Sequence, residues 1–169
     1  MEQNSNGMIF LVEDNEMFAE TLKVSLELKG YEVKAFRTGE HMISAWEEDP
    51  DFILLDYFIE SEIGVAMNGE KILRFIRRIN KSLPVIVLTS NTDIGEATTL
   101  LKLGAIDFIV KDEELLPNLL KTMEQVAESR KLRGEMARNK LLVKKYKKRL
   151  LIISLVVAVT AVILIWLFS

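Results

Sequence analysis

Residues 52–56 read FILLD, four apolar side chains that run directly into a single carboxylate, Asp56. A short and continuously apolar run of this kind predicts a strand that is buried on both faces, as in a parallel sheet covered by helices. A charge at the end of a buried strand costs several kcal/mol unless other groups compensate it. The groups that compensate the charge of Asp56 at this position are therefore the first indication of function.

Strands and helices alternate over the first 127 residues. Apolar or alternating runs predict five strands, over residues 8–12, 31–36, 52–56, 85–90 and 106–110. Helical spacing and cap residues predict five helices, over residues 16–29, 38–48, 68–79, 93–103 and from 112 onward. The alternation predicts an α/β fold, a doubly wound five-stranded parallel sheet with helices on both faces.

Polar side chains stand at the carboxyl ends of four predicted strands. They are Glu13 and Asp14 after the first strand, Asp56 in the third, Thr89 and Ser90 in the fourth, and Lys111 after the fifth. The carboxyl ends of parallel strands gather at one edge of a sheet, where α/β proteins bind their ligands. Each residue taken singly is most simply a turn or solvated residue, but their shared position predicts a common site.

The three carboxylates of this set would repel one another unless a cation lay among them. Oxygen ligands without nitrogen or sulfur favour Mg²⁺, which makes Glu13, Asp14 and Asp56 the candidate ligands. An aspartate beside Mg²⁺ can attack phosphorus and form an acyl phosphate. Lys111 and the Thr89 hydroxyl would then bind oxygens of the transferred group, so the set is a candidate phosphoryl acceptor.

The motifs around these residues resemble those of receiver domains in two-component response regulators, over about residues 7–127. The matching motifs are LVEDN with the acidic pair, ILLD with the phosphoacceptor Asp56, VIVLTS with the switch hydroxyl Thr89, and DFIVK with Lys111. Phe108 stands where the family keeps an aromatic switch residue. The resemblance implies a flavodoxin-like sheet with strand order 2-1-3-4-5.

The resemblance also implies how the site is used. A histidine kinase or phosphotransfer protein would donate a phosphoryl group to Asp56, and the main-chain carbonyl of Phe58 would join the ligands of Mg²⁺. Thr89, Ser90 and Lys111 would bind the phosphoryl group, and Phe108 would repack to switch the binding of an output partner. A protein of this kind accepts phosphate and is not an enzyme that turns over an external substrate.

The loop after Asp56 departs from the family pattern. Gly69 lies thirteen positions after Asp56, the usual proline is absent, and IESEIGVAMN fills the gap. This loop could shield the acyl phosphate, contact a partner or be a tolerated insertion. It keeps open the alternative of a phosphorylation-independent pseudo-receiver that acts as a membrane docking adaptor. A phosphatase of the haloacid dehalogenase type is disfavoured, because it needs a second aspartate where this chain has Phe58.

The net charge of -3 conceals two oppositely charged regions. Residues 1–120 carry 11 Lys and Arg against 22 Asp and Glu, whereas residues 121–169 carry 11 against 3. The chain has no cysteine, which excludes disulfides and thiolate metal sites. A smaller basic stretch, with Arg74, Arg77, Arg78 and Lys81, is most simply a solvated helix face.

Residues 128–149 are expected to form a basic helical neck that follows a receiver domain at 7–127 and an N-terminal tail at 1–6. Six residues of the neck and its end repeat at coiled-coil spacing: Leu132, Met136, Asn139, Val143, Tyr146 and Leu150. A homodimeric coiled coil and a monomeric solvated helix both fit this short pattern. Nucleic-acid binding is not expected, because no fold for reading bases follows the neck.

Residues 150–168, LLIISLVVAVTAVILIWLF, contain no charged side chain. As a helix this run would extend about 28 Å, close to the thickness of a bilayer core. A buried helix or an oligomer core is the alternative, but the absence of any polar face disfavours both, so the run predicts a transmembrane helix and the lipid bilayer as a partner. The preceding KKYKKR indicates the cytoplasmic side, which predicts a single-pass protein of the bacterial inner membrane with its receiver domain in the cytoplasm.

Overall fold

The computed structural model describes residues 5–59, 69–90 and 94–168, and the side chains of residues 94–97, 155–159, 162 and 165–168 are outside the description. The chain divides into two compact units, Met1–Met123 and Glu124–Ser169. The first unit contains the sheet and the helices that cover it. The second unit consists of a single helical segment.

Five parallel strands form one sheet in the first unit. They are β1 (Met8–Val12), β2 (Glu32–Phe36), β3 (Phe52–Asp56), β4 (Val85–Thr89) and β5 (Asp107–Val110). Their order is β2-β1-β3-β4-β5, and every neighbouring pair is parallel. The predicted fold class and strand order are therefore confirmed.

Within the described residues, five α-helices connect or follow these strands. They are α1 (Glu16–Glu27), α2 (Gly39–Ser44), α3 (Gly69–Ile79), α4 (Ile94–Lys102) and α5 (Leu115–Phe168). The cap predicted at Thr38 is present, since its hydroxyl accepts a hydrogen bond from the His41 N–H at 3.3 Å. Asn68 and Asp93, where helices α3 and α4 were predicted to begin, lie outside the described residues.

Two predicted helix boundaries were wrong by three residues or more, whereas α1 and α4 end within two residues of their predicted ends. Helix α2 ends at Ser44 instead of residue 48, because Ala45 leaves the helical conformation and a short 3₁₀ turn, Trp46–Glu48, follows. Helix α5 begins at Leu115 instead of Asp112. The Asp112 carboxylate accepts a hydrogen bond from the Glu114 N–H at 2.9 Å, so this residue closes a turn that precedes the helix.

The core lies on both faces of the three central strands. Residues 9–12 of β1, all of β3 and all of β4 are buried, as their apolar runs predict. Helices α1, α3 and α5 contribute buried residues at helical spacing: Leu22 and Leu26, Ile72, Leu73 and Ile76, and Leu115, Leu119 and Met123. This packing holds the carboxyl ends of β1, β3 and β4 at fixed positions along one edge of the sheet.

Arg77 differs from the prediction of a solvated basic face. Its guanidinium donates hydrogen bonds to the carbonyl oxygens of Gly104, Leu83 and Asn80, at distances between 2.7 and 3.2 Å. Burial lowers the pKa of Arg77 below its ordinary value. Arg77 thus ties the end of α3 to the segment before β4 and to the turn after α4.

Replacement of Arg77 by methionine is expected to lower the free energy of unfolding by about 1–3 kcal/mol, because it removes the donors of three carbonyl groups. Chemical denaturation monitored by circular dichroism measures this change. Arg78→Met is the matched control, since Arg78 is exposed on the same turn and should change stability by less than about 0.5 kcal/mol. Equal effects of the two substitutions would contradict a specific role of Arg77.

The second unit is the helical segment of α5 after Met123. Apolar residues of the predicted coiled-coil pattern are exposed there, among them Leu132, Met136, Val143 and Tyr146. Exposure in a single chain agrees with both a dimeric and a solvated helix. In the part of the chain that the structure describes, no helix was found that combines the length and the apolarity needed to cross a bilayer. The transmembrane helix predicted over residues 150–168 is therefore not confirmed.

Candidate functional site

Strand register brings the predicted acidic residues together. Val12, the last residue of β1, is paired with Leu55 of β3, so Glu13 and Asp56 leave the sheet side by side. Oxygen atoms of Glu13, Asp14 and Asp56 lie within 4.8 Å of one another. The two strands are adjacent although about forty residues separate them in the chain, because the parallel sheet places β1 between β2 and β3.

Two of these carboxylates are buried and share one cation. Glu13 and Asp56 are only 2% and 4% exposed. The Lys111 ammonium lies 2.7 Å from Oε2 of Glu13 and 2.8 Å from Oδ2 of Asp56. Lys111 follows β5 and is held there by its own N–H, which donates to the carbonyl of Thr89 at 2.7 Å. The charge of Asp56 is therefore tolerated in the fold because Lys111 pairs with it.

Burial raises the pKa of Glu13 above its ordinary value of 4.5, and the nearby charge of Asp56 acts in the same direction. The hydrogen bond and the positive charge of Lys111 oppose this rise. Two buried carboxylates and one ammonium leave an excess of negative charge at the edge of the sheet, before Asp14 is included. A site with this balance favours an additional cation.

Main-chain N–H groups form hydrogen bonds with the other carboxylate oxygen of Asp56, Oδ1, and with the backbone that follows Asp56. Oδ1 of Asp56 accepts a hydrogen bond from the Phe58 N–H at 3.2 Å. The N–H of Gly69 donates to the carbonyl of Tyr57 at 3.1 Å, so the start of α3 packs directly on this backbone. A Cβ at Gly69 would lie 2.9 Å from the Asp56 carbonyl oxygen, closer than a side chain can approach. The role implied for the Phe58 carbonyl as a metal ligand stays a prediction.

The remaining predicted site residues lie at the ends of β4 and β5. Asp56 is paired with Leu88, which places Thr89 one step further along the neighbouring strand, fully buried. Ser90 follows and is exposed. Phe108 is partly buried and packs against the apolar cluster under α3 and α4. The phosphoryl-binding and switch roles of these residues stay predictions.

Two residues of the site were not recognised as such in the sequence. Asn15 donates its N–H to Oε1 of Glu13 at 3.3 Å, and its side chain caps α1 by accepting a hydrogen bond from the Phe18 N–H at 3.1 Å. The ring of Phe18 lies against the Lys111 ammonium, 4.7 Å from the ring centre. Asn15 could have been identified as an N-cap residue, but nothing in the sequence connects Phe18 with Lys111.

The donor set fits a hard divalent cation such as Mg²⁺. Three carboxylates offer only oxygen, and the site is close enough for one ion to contact oxygens from all three residues. Mg²⁺ also keeps waters, so it does not need a complete set of protein ligands. Glu13, Asp14 and Asp56 are the described residues that would hold the ion.

Comparisons with known proteins agree with this arrangement. The family model of the response regulator receiver domain matches residues 9–124. The chain is 33% identical over 123 residues to a Bacillus subtilis protein named uncharacterized transcriptional regulatory protein YkoG, covering 70% of this chain and 52% of that protein. It is 31% identical over 104 residues to the DNA-binding response regulator MtrA of Mycobacterium tuberculosis, covering 61% and 43%. The chain thus spans about half the length of the curated relatives it matches. Their names are at odds with the expectation that no nucleic acid is bound.

Solved structures share the fold of the first unit. The signal receiver domain of a signal transduction histidine kinase from Syntrophus aciditrophicus aligns with a TM-score of 0.62 at 28% identity, covering 73% of this chain and 91% of that domain. The BeF3-activated receiver domain of Klebsiella pneumoniae RstA aligns with a TM-score of 0.60 at 24% identity, covering 69% and 97%. The second likeness shows the fold alone.

Proposed function

This chain belongs to the response regulator receiver domain family, and on that premise we propose that it is a phosphorylation-switched signalling protein in which Asp56 accepts the phosphoryl group. The observation that carries the proposal is the position of Lys111. One ammonium contacts both Asp56 and Glu13 at the carboxyl edge of the sheet, where phosphate ligands bind in α/β folds. A purely structural ion pair would not need the third carboxylate, Asp14, beside it.

Each residue has a defined part in the transfer. A carboxylate oxygen of Asp56 attacks the phosphorus of a phosphohistidine on a kinase or phosphotransfer protein, and the P–N bond breaks as the new O–P bond forms. Lys111 stabilises the negative charge on the phosphoryl oxygens, and the Thr89 hydroxyl donates to one of them. Glu13 and Asp14, with Asp56, would hold Mg²⁺, and the ion would supply positive charge that offsets the charge of the transferred group.

Phosphate incorporation from a small phosphodonor tests this proposal. Incubation with acetyl phosphate and Mg²⁺ is expected to retard the protein on a phosphate-binding gel, because the site itself provides the groups that assist transfer. Removal of Mg²⁺ with EDTA is expected to slow incorporation by roughly 100-fold or more. An unmodified protein under all conditions would instead support the phosphorylation-independent adaptor.

Phosphorylation would act on the ends of β4 and β5. A phosphoryl group on Asp56 would draw the Thr89 hydroxyl inward and let Phe108 repack, which changes the surface formed by α4, β5 and α5. This proposal is supported by the position of Thr89 on the strand next to Asp56 and by the packing of Phe108 on the core. The switch would control an output partner or dimerisation of the neck.

We also propose that residues 150–168 tether the protein to a bacterial inner membrane. The support is the sequence alone: a run without charged side chains that directly follows the basic KKYKKR segment. Flotation with vesicles of phosphatidylglycerol and phosphatidylethanolamine is expected to carry the full chain to the top of a density gradient. A chain that lacks residues 150–169 should stay at the bottom.

The full chain and the chain without residues 150–169 can also be compared for DNA binding, the function that the names of several relatives state. A gel-shift assay with random duplex DNA gives the second arm of the experiment. Binding of DNA by both proteins, without flotation of either, would overturn the tether and favour a nucleic-acid partner for the basic neck.

A further inference from the structure

We propose that Phe18 is a positioning residue of the phosphoryl site, whose aromatic face holds the Lys111 ammonium in the orientation that serves Asp56. The inference rests on the proposed function, since the orientation matters most when Lys111 must bind a phosphoryl oxygen. Phe18 lies in the first turn of α1 and belongs to neither of the strands that provide the carboxylate partners of Lys111. It is brought to Lys111 only by the fold.

The contact has the geometry of a cation–π interaction. The Lys111 nitrogen lies 4.7 Å from the centre of the Phe18 ring, within the distance over which the negative face of a ring attracts a cation. The side chain of Lys111 is only 14% exposed, so water screens this attraction weakly. The ammonium also donates a hydrogen bond to Glu13 at 2.7 Å and lies 2.8 Å from the carboxylate of Asp56. The ammonium is thus held by two carboxylates and one ring.

A closed set of contacts fixes the ring itself. The Phe18 N–H donates to the side chain of Asn15, and the Asn15 N–H donates to the carboxylate of Glu13. Glu13 in turn binds Lys111, which lies on the ring of Phe18. Each of the four residues therefore restricts the next one. A displacement of the α1 cap would move the ring and, with it, the cation beside Asp56.

The Phe18 ring would also keep Lys111 in position when the ion pair with Asp56 is lost on phosphorylation. When Asp56 carries a phosphoryl group, the carboxylate loses its charge and its contact with Lys111 must be replaced by contact with the phosphoryl oxygens. Glu13 would then compete with the phosphoryl group for the ammonium. An aromatic face attracts the cation without accepting a proton from it, and its own charge does not change on phosphorylation, so it can keep Lys111 in place through this change.

Variants that keep or remove the aromatic face test the proposal. Phe18→Leu and Phe18→Met fill similar space without an aromatic face, whereas Phe18→Tyr keeps the ring. The two aliphatic variants are expected to take up phosphate from acetyl phosphate roughly 5- to 30-fold more slowly, and Phe18→Tyr to stay within about twofold of the parent chain. Equal rates in all four proteins, or an equal loss in Phe18→Tyr and Phe18→Leu, would overturn the inference.

A spectroscopic readout separates this inference from the proposed function. The ring current of Phe18 should shift the ε-methylene proton signals of Lys111 upfield, and the shift should persist in Phe18→Tyr and vanish in Phe18→Leu and Phe18→Met. Lys111→Met assigns these signals. If the parent chain takes up no phosphate, the proposed function fails while the shift still reports on the contact. An unshifted Lys111 signal in the parent chain overturns the positioning role whatever the rate of phosphorylation.

Discussion

Asp56→Asn is expected to reduce phosphate incorporation from acetyl phosphate to background, a loss of roughly 100-fold or more. Asparagine has nearly the same shape and can still accept hydrogen bonds, but its amide oxygen is a far weaker nucleophile than a carboxylate. It also removes a charged ligand from the predicted Mg²⁺ site. The experiment is a time course on a phosphate-binding gel, with circular dichroism to show that the variant is folded.

Asp112→Asn is the matched control for this substitution. Asp112 adjoins Lys111, is exposed, and uses its side chain to accept the Glu114 N–H, which asparagine can also do. Incorporation in this variant should equal that of the parent chain. Retardation of Asp56→Asn to the same extent as the parent would place the phosphoryl group on another residue and refute the assignment.

Lys111→Met is expected to lower the free energy of unfolding in the absence of divalent ions by about 3 kcal/mol at neutral pH. The substitution leaves Glu13 and Asp56 buried without the cation that both contact, and breaking a buried pair in this way typically costs about 3–5 kcal/mol. Saturating Mg²⁺ should recover part of this loss, because the ion would neutralise the unpaired negative charge of the two carboxylates. Urea denaturation with and without Mg²⁺ measures both effects.

The loss of stability in Lys111→Met should also depend on pH, and it should grow as the pH rises. Lys111 opposes the rise in the pKa of Glu13, so its removal raises that pKa further above the ordinary value of 4.5. A group whose pKa is raised by folding binds its proton more tightly in the native state, and its contribution to stability is lost as pH rises through the folded pKa. The deficit of Lys111→Met should therefore be smaller at pH 5 than at pH 8.

Lys102→Met controls for the loss of a lysine as such, because Lys102 is exposed at the end of α4. Its stability should differ from the parent by less than about 0.5 kcal/mol at either pH. A Lys111→Met variant as stable as this control, without Mg²⁺ and at pH 8, would show that the buried carboxylates do not depend on Lys111.

The central strands were predictable because their signal is local. The apolar runs at residues 8–12 and 52–55 form β1 and all of β3 except its last residue, Asp56, since a strand buried on both faces requires apolar side chains along most of its length. The end of α2 and the start of α5 were less predictable. Ala45 fits a helix by propensity and Asp112 fits the N-cap position, and only the local backbone around them shows that the helices exclude both.

Site residues were predictable to the extent that topology alone brings them together. Glu13, Asp14, Asp56 and Lys111 each stand at the end of a strand, and parallel pairing places those ends side by side. Arg77 and Phe18 do not stand at strand ends, so no sequence pattern identified their roles. An arginine near a helix end and a phenylalanine at helical spacing have many uses, and their partners lie on segments that the chain does not relate to them.

The order of apolar and polar residues determined the sheet, its covering helices and the collection of carboxylates at one edge, because burial of strands leaves few alternatives for an alternating chain. Only the tertiary structure decided how that negative charge is held. Lys111 lies 98 residues from Glu13 in the chain, yet the two side chains meet at 2.7 Å beside the ring of Phe18. Contacts of this kind require separate elements to be placed to within a few tenths of an ångström. That placement is set by packing and not by any local sequence pattern.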